Sequence, residues 1–350
     1  MNQSLAIESR QIGPDSPAFV IAEIGVNHDG SVDLAQQLVR SAKACGADAV
    51  KLQIFRADAL MHDSSQFAGY QQERCNESNP AEMLRRYELD GPAIQRVITT
   101  IRECGMVPIA TPFSVEDVET IRQLKLPAIK IASPDLVNHL LLEAAARTGA
   151  TLLVSTGAAT IDEVHRAVQW LKSWNARFAL LHCVSAYPTP IEESHLGWIG
   201  QLASFGVPVG FSDHTTESIS GAIAVASGAC VIEKHLTYDR NAPGPDHAAS
   251  ADPRDFAEYV RLIRLTEALR GRGGKCVLPI EQDVRTVSRQ SLVLRRDLGS
   301  GDTIGQGDLI VQRPGTGISA AEFAAAIGRR AMRPLKAGTM LQWDMLTDAA

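Results

Sequence analysis

Aromatic side chains make up only 5% of this 350-residue chain, so its core has to be packed mainly from aliphatic residues. Cysteine pairs are missing as well. The six cysteines stand far apart at 45, 75, 104, 183, 230 and 276, with no Cys-x-x-Cys among them. That spacing argues against a disulfide framework and for reduced thiols in a cytoplasmic protein. No dense Lys/Arg tract occurs and the formal net charge is −6, which excludes nucleic acid or an anionic membrane as the main partner. A local cationic pocket stays open. No apolar run approaches the roughly 18 residues of a membrane span, and the N-terminal MNQSLAIESRQIGPDSP has no apolar signal core. A dinucleotide-binding GxGxxG is absent too, because the glycines of EIGVNHDG are wrongly spaced.

What the chain does have is a repeating unit. Short aliphatic runs at 18–24, 47–55, 106–113, 126–133, 150–156, 178–185, 207–214 and 230–236 alternate with stretches of helical spacing such as 33–47, 161–174 and 252–270. Near-continuous apolar strands separated by amphipathic helices predict a parallel sheet covered on its outer face. Eight such units over about 250 residues predict a closed (β/α)8 barrel rather than an open doubly wound sheet. The unit between the second and third strands is oversized, with a polar insertion within 56–91 that is expected to border the mouth. After residue 271 the texture changes to GRGGK, short strands and glycine turns. Residues 285–350 hold nine Arg or Lys against six Asp or Glu, which predicts a small, mostly β, mildly basic second domain.

Polar residues gather where the barrel strands end, and that is the catalytic face of such a barrel. They are Glu23, Lys51 and Gln53, Thr111, Lys130 and Ser133, Ser155 and Thr156, His182 and Ser185, Ser212 to His214, and Glu233 to His235. Buried charge costs several kcal/mol unless it is paired, so a purely structural barrel has little use for this collection. Lys51 and Lys130 with the hydroxyls of Thr111, Ser133, Ser155 and Ser212 suit a phosphate or carboxylate. The lysines could equally neutralise neighbouring barrel carboxylates. His214 and His235 suit a borderline metal such as Mn²⁺ or Zn²⁺, yet two ligands are fewer than a structural zinc site needs, and a loop hydrogen bond would also account for His214. Asp246 and His247 follow a rigid Pro-Gly-Pro turn that orders them near the mouth, and YPTP at 187–190 stiffens the loop of the sixth strand.

Five stretches in chain order, IAEIGVNHDGSVDLAQQLVRSAKACGADAVKLQIF, LLHCVSAYPTP, FSDHT, EKHLTYDRNAPGPDHAAS and RPGTGI, resemble the sialic acid synthase family of N-acetylneuraminate, legionaminate and pseudaminate synthases. The likeness spans residues 17–345. It implies a catalytic barrel over 1–270, a linker over 271–284 and an antifreeze-like SAF domain over 285–350. The implied reaction condenses phosphoenolpyruvate (PEP) with an N-acylated aminohexose and water, giving a nonulosonic acid and phosphate. N-acetylmannosamine is the first acceptor to expect, a diacetylated 6-deoxyhexose the alternative, and a metal-dependent aldolase or lyase the more distant one.

Residue by residue, the resemblance places a divalent cation on His214 and His235, with Mn²⁺ first and Mg²⁺ or Co²⁺ as alternatives. Glu23 falls beside the reacting centre and forms the catalytic set with His214, His235 and Asp246. Lys51, Thr111, Lys130, Ser133, Ser155 and Ser212 fall on PEP contacts, and Gln53, Ser185, Tyr187 and Asp246 on the sugar side. Arg313 falls on an arginine that the tail domain sends into the partner subunit's barrel, which implies a domain-swapped homodimer. Two positions depart from the family pattern: Ser185, where neuraminate synthases often carry asparagine, and Asp135 in ASPD, where SGE is commoner. Both leave the reaction class intact and weaken the identity of the sugar.

Overall fold

The helices that cover the sheet begin where a side chain can accept an orphan backbone N–H. Ser31 caps Val32–Ala44, Asp90 caps Gly91–Glu103, Thr160 caps Ile161–Ser173 through a reciprocal box with Glu163, and Asp252 caps Pro253–Arg270. The first of them stops at Cys45, ahead of a left-handed Gly46. The computed structural model describes residues 4–62, 79–271 and 273–347. Within them the chain forms two compact units, Met1–Arg272 and Gly273–Ala350.

The first unit opens with a hairpin, β1 (Leu5–Ile7) and β2 (Arg10–Ile12). Eight parallel strands follow: β3 (Phe19–Gly25), β4 (Ala49–Ile54), β5 (Val107–Pro112), β6 (Ala128–Ile131), β7 (Thr151–Ser155), β8 (Phe178–Cys183), β9 (Val209–Asp213) and β10 (Val231–His235). They pair in chain order, and β10 pairs back onto β3, so the barrel closes. Each of the eight aliphatic runs read from the sequence is one of these strands.

Alternation along each strand divides its residues between two cores. Val20, Val50, Ile129, Val154 and Leu180 point outward and pack under the helices. Phe19, Ile21, Ile109, Leu153 and Leu181 point inward and fill the lower half of the barrel. The hairpin closes the bottom of that inner core with Ile7 and Ile12, both fully buried. The segment is polar in overall composition, yet Ile7 and Ile12, with the partly buried Leu5, carry the plug from among charged and turn residues.

Of the oversized second unit, the helices Ala57–Leu60 and Pro80–Tyr87 are described. The polar insertion expected there falls largely on residues 63–78, which lie outside the described residues, as does Cys75.

In the second unit, helical turns at Pro279–Glu281 and Gln282–Ser288 occupy part of the stretch expected as a linker. Two antiparallel strands, β11 (Ser291–Leu294) and β12 (Leu309–Gln312), pack around Leu292, Leu294, Leu298, Ile304 and Leu341. Regular β structure is thinner than expected. Left-handed glycines at 301, 328 and 338 break the remaining chain into isolated bridges such as Leu298 with Leu335.

Candidate active site

Above the apolar inner core the same inward strand positions turn polar. Glu23, Lys51, Gln53, Thr111, Lys130, Ser155, Cys183, Ser212, Glu233 and His235 continue the inward alternation of their strands to the C-terminal mouth. The centre of this ring is a linked set of charges. Lys51 Nζ donates to Thr111 Oγ1 at 3.0 Å and lies 2.8 Å from Glu23 Oε2 and 3.9 Å from Glu233 Oε2. Lys130 Nζ lies 3.7 Å from Glu233 Oε1, and Ser212 Oγ donates to that same oxygen at 2.8 Å. Gln53 Nε2 donates to Glu23 Oε1 at 3.1 Å. Gly25 makes room for this contact, since a Cβ there would collide with the Glu23 carboxylate and the Gln53 amide.

Burial sets the protonation of this ring. It pushes the Glu23 carboxyl up to about 7, outweighing the pull of Lys51. Burial also draws Lys130 below the usual lysine range. It opposes the charge on Lys51, yet Glu23 and Glu233 hold that ammonium above its ordinary value. Burial works against ionised Glu233 too, but Lys130, Lys51 and the Ser212 hydroxyl keep its carboxyl below the ordinary range. The lysines therefore do neutralise barrel carboxylates, with Glu233 shared between them. Glu233, a rim residue by its sequence position, is thus the central carboxylate of the ring.

Three buried atoms at the mouth make no hydrogen bond to any described residue, Ser155 Oγ, Glu233 Oε2 and His235 Nδ1, while Glu23 Oε2 meets only the Lys51 ammonium. Native interiors leave few such atoms, and a cluster of them marks a place where a ligand completes the bonding.

The two histidines meet at one side of the mouth, with ring centroids 5.5 Å apart. His214 Nδ1 donates to the Val184 carbonyl at 2.8 Å, which leaves Nε2 for another partner. His235 is held well below its ordinary value by burial and then by His214, so it is the neutral form that ligates metals. Asp246 Oδ2 lies 3.6 Å from His235 Nδ1, and the Tyr187 ring covers His214 at 4.0 Å between centroids. Among the described residues no group of three or more His, Cys, Asp and Glu forms a closed cage. A neutral imidazole with an unbonded ring nitrogen, a second imidazole oriented by a carbonyl and a nearby carboxylate fit an open divalent-cation site.

Of the remaining residues picked out from the sequence, Ser133 accepts from Gly157 N at 3.2 Å, and Ser185 and Cys183 close around the same glycine. Cys183, which the sequence marks only as a reduced thiol, lies 3.8 Å from His214 Nδ1. Burial would raise it, but the His214 imidazole, the Ser133 hydroxyl and Lys130 draw it down to about 6. Arg313 is exposed at the end of β12 in the second unit. Asp135 accepts from Asn138 Nδ2 at 3.1 Å in the turn after β6.

Three rim residues are corrected by strand alternation. His182, Asp213 and Lys234 each point out of the barrel toward the helices; His182 lies against the Ser194 carbonyl at 2.7 Å and stacks on Phe211. Thr156 is likewise committed, donating to the Leu181 carbonyl at 2.9 Å, and His247 is bound between Thr237 and Asp29.

A closed parallel barrel that gathers two lysines, two glutamates and two histidines at its C-terminal mouth has the architecture of a (β/α)8 enzyme. The chain belongs to the NeuB family, whose model matches residues 38–275, and a SAF domain matches residues 289–347. It is 38% identical to the N,N'-diacetyllegionaminic acid synthase of Legionella pneumophila, over 95% of each chain. It is 32% identical to the N-acetylneuraminate-9-phosphate synthase of Mus musculus, covering 84% of this chain and 83% of that one. The crystal structure of the N-acetylneuraminic acid synthetase from Leptospira borgpetersenii superimposes with a TM-score of 0.75 at 30% identity, over 81% of this chain and 95% of that one.

Proposed function

We propose that this chain condenses PEP with an open-chain N-acylated aminohexose and water to give a nonulosonic acid and phosphate. The observation that carries the reading is the buried ring of Lys51, Lys130, Glu23 and Glu233, together with Ser155 Oγ, Glu233 Oε2 and His235 Nδ1, which make no hydrogen bond to the described residues. N-acetylmannosamine is the first acceptor to test. The identity to the Legionella enzyme supports a diacetylated 6-deoxyhexose as a second reading.

Lys51 and Lys130, with Thr111, Ser133, Ser155 and Ser212, hold the phosphate and carboxylate of PEP. In the reaction PEP C3 forms the new C–C bond to the sugar aldehyde carbon and the aldehyde oxygen becomes a hydroxyl. Water adds at PEP C2, and the C2–O bond to phosphate breaks to leave the 2-keto acid. Glu23 takes the proton from that water, a role supported by a carboxyl that burial pushes up to about 7, which suits proton transfer in either direction near neutrality. Gln53, Ser185, Tyr187 and Asp246 orient the sugar. A divalent cation held by His214 and His235, with Mn²⁺ first and Mg²⁺ or Co²⁺ as alternatives, would supply Lewis-acid polarisation of the aldehyde oxygen.

The working unit is a homodimer that exchanges its tail domains, with Arg313 of each chain serving the partner subunit's sugar site. The exposure of Arg313 on the second unit, with no hydrogen bond or ion pair to the described residues, supports this. The described cysteines are unpaired, and no described helix is long and apolar enough to cross a membrane; the thiols support a cytoplasmic location.

The deciding experiment measures phosphate release from PEP with Mn²⁺ across a panel of N-acylated hexosamines. Release that depends on one aldose is expected. Absence of aldose-dependent release with every member of the panel overturns the reading. For the exchange, an Arg313→Ala subunit mixed with a Glu23→Ala subunit should partly recover activity, and verified heterodimers without recovery would refute it.

A further inference from the structure

Asp213 and Lys234 each immediately precede one of the two histidines, and neither faces the mouth. Ser212 and Glu233 are turned into the barrel, so their successors point out, toward Ser220–Ala226 and Pro253–Arg270. There the two charges meet, with Lys234 Nζ 3.0 Å from Asp213 Oδ2 and both side chains at most 2% exposed. Asp213 is saturated with donors. Its Oδ1 accepts from Thr215 N at 2.8 Å, and its Oδ2 from Ser220 Oγ at 2.5 Å, Tyr259 Oη at 2.8 Å and Lys234. Lys234 also donates to the Thr215 carbonyl at 2.8 Å and lies 4.8 Å from the centre of the Tyr259 ring. Gly221 leaves the space for that ring, because a Cβ there would run into it.

Stability alone is a poor reason for such a group. The cost of desolvating two opposite charges offsets much of their attraction, and a neutral pair of similar shape is often as stable. What a neutral pair lacks is direction. Lys234 grips the residues on both sides of His214, Asp213 before it and Thr215 after it, and is itself the residue before His235. On the opposite side, Thr189 N donates to the His214 carbonyl at 2.9 Å. One buried ammonium thus ties together the backbone of both imidazole-bearing strand ends.

We propose that Asp213, Lys234 and Tyr259 are positioning residues: from behind the strands they pin the ends of β9 and β10 and so fix His214 and His235 relative to one another. The role rests on the reading of those histidines as a metal pair, and none of the three residues touches a substrate.

The test uses the full chain stripped of metal, with histidine ring nitrogens isotopically labelled. The double variant Asp213→Asn/Lys234→Met removes both charges and keeps the shapes. It is expected to melt within a few degrees of wild type, to bind Mn²⁺ about 10-fold more weakly by calorimetry, and to shift the ring signals of His214 and His235. The milder pair Ser220→Ala/Tyr259→Phe removes two donors from Asp213 and leaves the ion pair, so a smaller change in the same direction is expected. Unchanged Mn²⁺ affinity and unmoved ring signals in the folded Asp213→Asn/Lys234→Met protein overturn the proposal; if that variant does not fold, the same result in Ser220→Ala/Tyr259→Phe does so. If the wild type itself binds no Mn²⁺, the metal reading fails, and the ring signals alone decide the pin.

Discussion

Thr151 and Ser155 occupy opposite ends of β7, both turned into the barrel and both buried, yet they are employed differently. Thr151 Oγ1 donates to the Ala6 carbonyl at 2.9 Å and ties the strand to the hairpin that plugs the bottom. Ser155 Oγ has no hydrogen-bond partner among the described residues. The contrast recurs around the barrel. At the bottom, Phe19, Ile21, Leu153 and Leu181 satisfy one another by packing. At the mouth, the strands carry the linked charges of Glu23, Lys51 and Glu233, and Ser155 Oγ and Glu233 Oε2 make no hydrogen bond to the described residues. A barrel can hold a costly upper layer because a dry lower layer secures the fold, so stability and chemistry are divided along the length of each strand.

The largest expected effects set one residue of each layer against the other. Lys51→Met leaves Glu23 and Glu233 buried without their shared cation, a loss on the order of 3–5 kcal/mol. It should also raise the KM for PEP steeply, and Lys130→Ala should do so less severely. Leu153→Ala at the bottom should cost about as much, roughly 2–5 kcal/mol, through the cavity it leaves. Its kcat and KM should stay at wild-type values wherever the protein remains folded. Urea unfolding beside phosphate-release kinetics checks both; a Leu153→Ala enzyme with an altered KM for PEP would break the division.

Most of this division was legible in the sequence. Eight aliphatic runs named the strands, and polar residues at their ends named the mouth, because period and position are local properties. Which of those polar residues point inward is settled by alternation counted from the apolar core. Two residues in succession at a strand end, such as Asp213 and His214 or Lys234 and His235, therefore serve opposite faces. The plug was hidden because Ile7 and Ile12 owe their burial to strands far along the chain. Glu233 was seen as a rim residue, but its sharing between two lysines depends on β4, β6 and β10 converging, which no local pattern encodes.

Glu23 offers an intermediate effect that only the upper layer can show. Its folded carboxyl keeps a proton up to about pH 7, whereas in the unfolded chain it ionises near 4.5. Between those values the folded state binds more protons, so this contribution to stability is complete below about 4.5 and is lost as the pH rises through 7. Glu23→Gln should flatten that decline, while Leu153→Ala should lower stability by the same amount at both ends of the range. Urea titrations of the ligand-free, chelated protein at pH 5 and pH 8 measure it. Equal slopes in wild type and Glu23→Gln would mean that Lys51 keeps the carboxylate ionised throughout.

The smallest effects come from the pair on β7, and they sharpen the comparison most because so little else changes. Thr151→Val deletes one buried hydrogen bond and keeps the shape, and it leaves the Ala6 carbonyl without that donor. A loss of about 1 kcal/mol is expected, with unchanged kinetics. Ser155→Ala deletes a hydroxyl that has no hydrogen-bond partner among the described residues, so stability should stay within about 0.5 kcal/mol of wild type. If that hydroxyl waits for PEP, the KM for PEP should rise about 10- to 100-fold, since a hydrogen bond to a charged group contributes about 1.5–3 kcal/mol. Denaturation and PEP saturation curves on the two variants should cross: one loses stability and keeps its substrate, the other the reverse. Should Ser155→Ala instead lower stability and leave PEP saturation untouched, its hydroxyl would belong to the scaffold and the cradle would begin above β7.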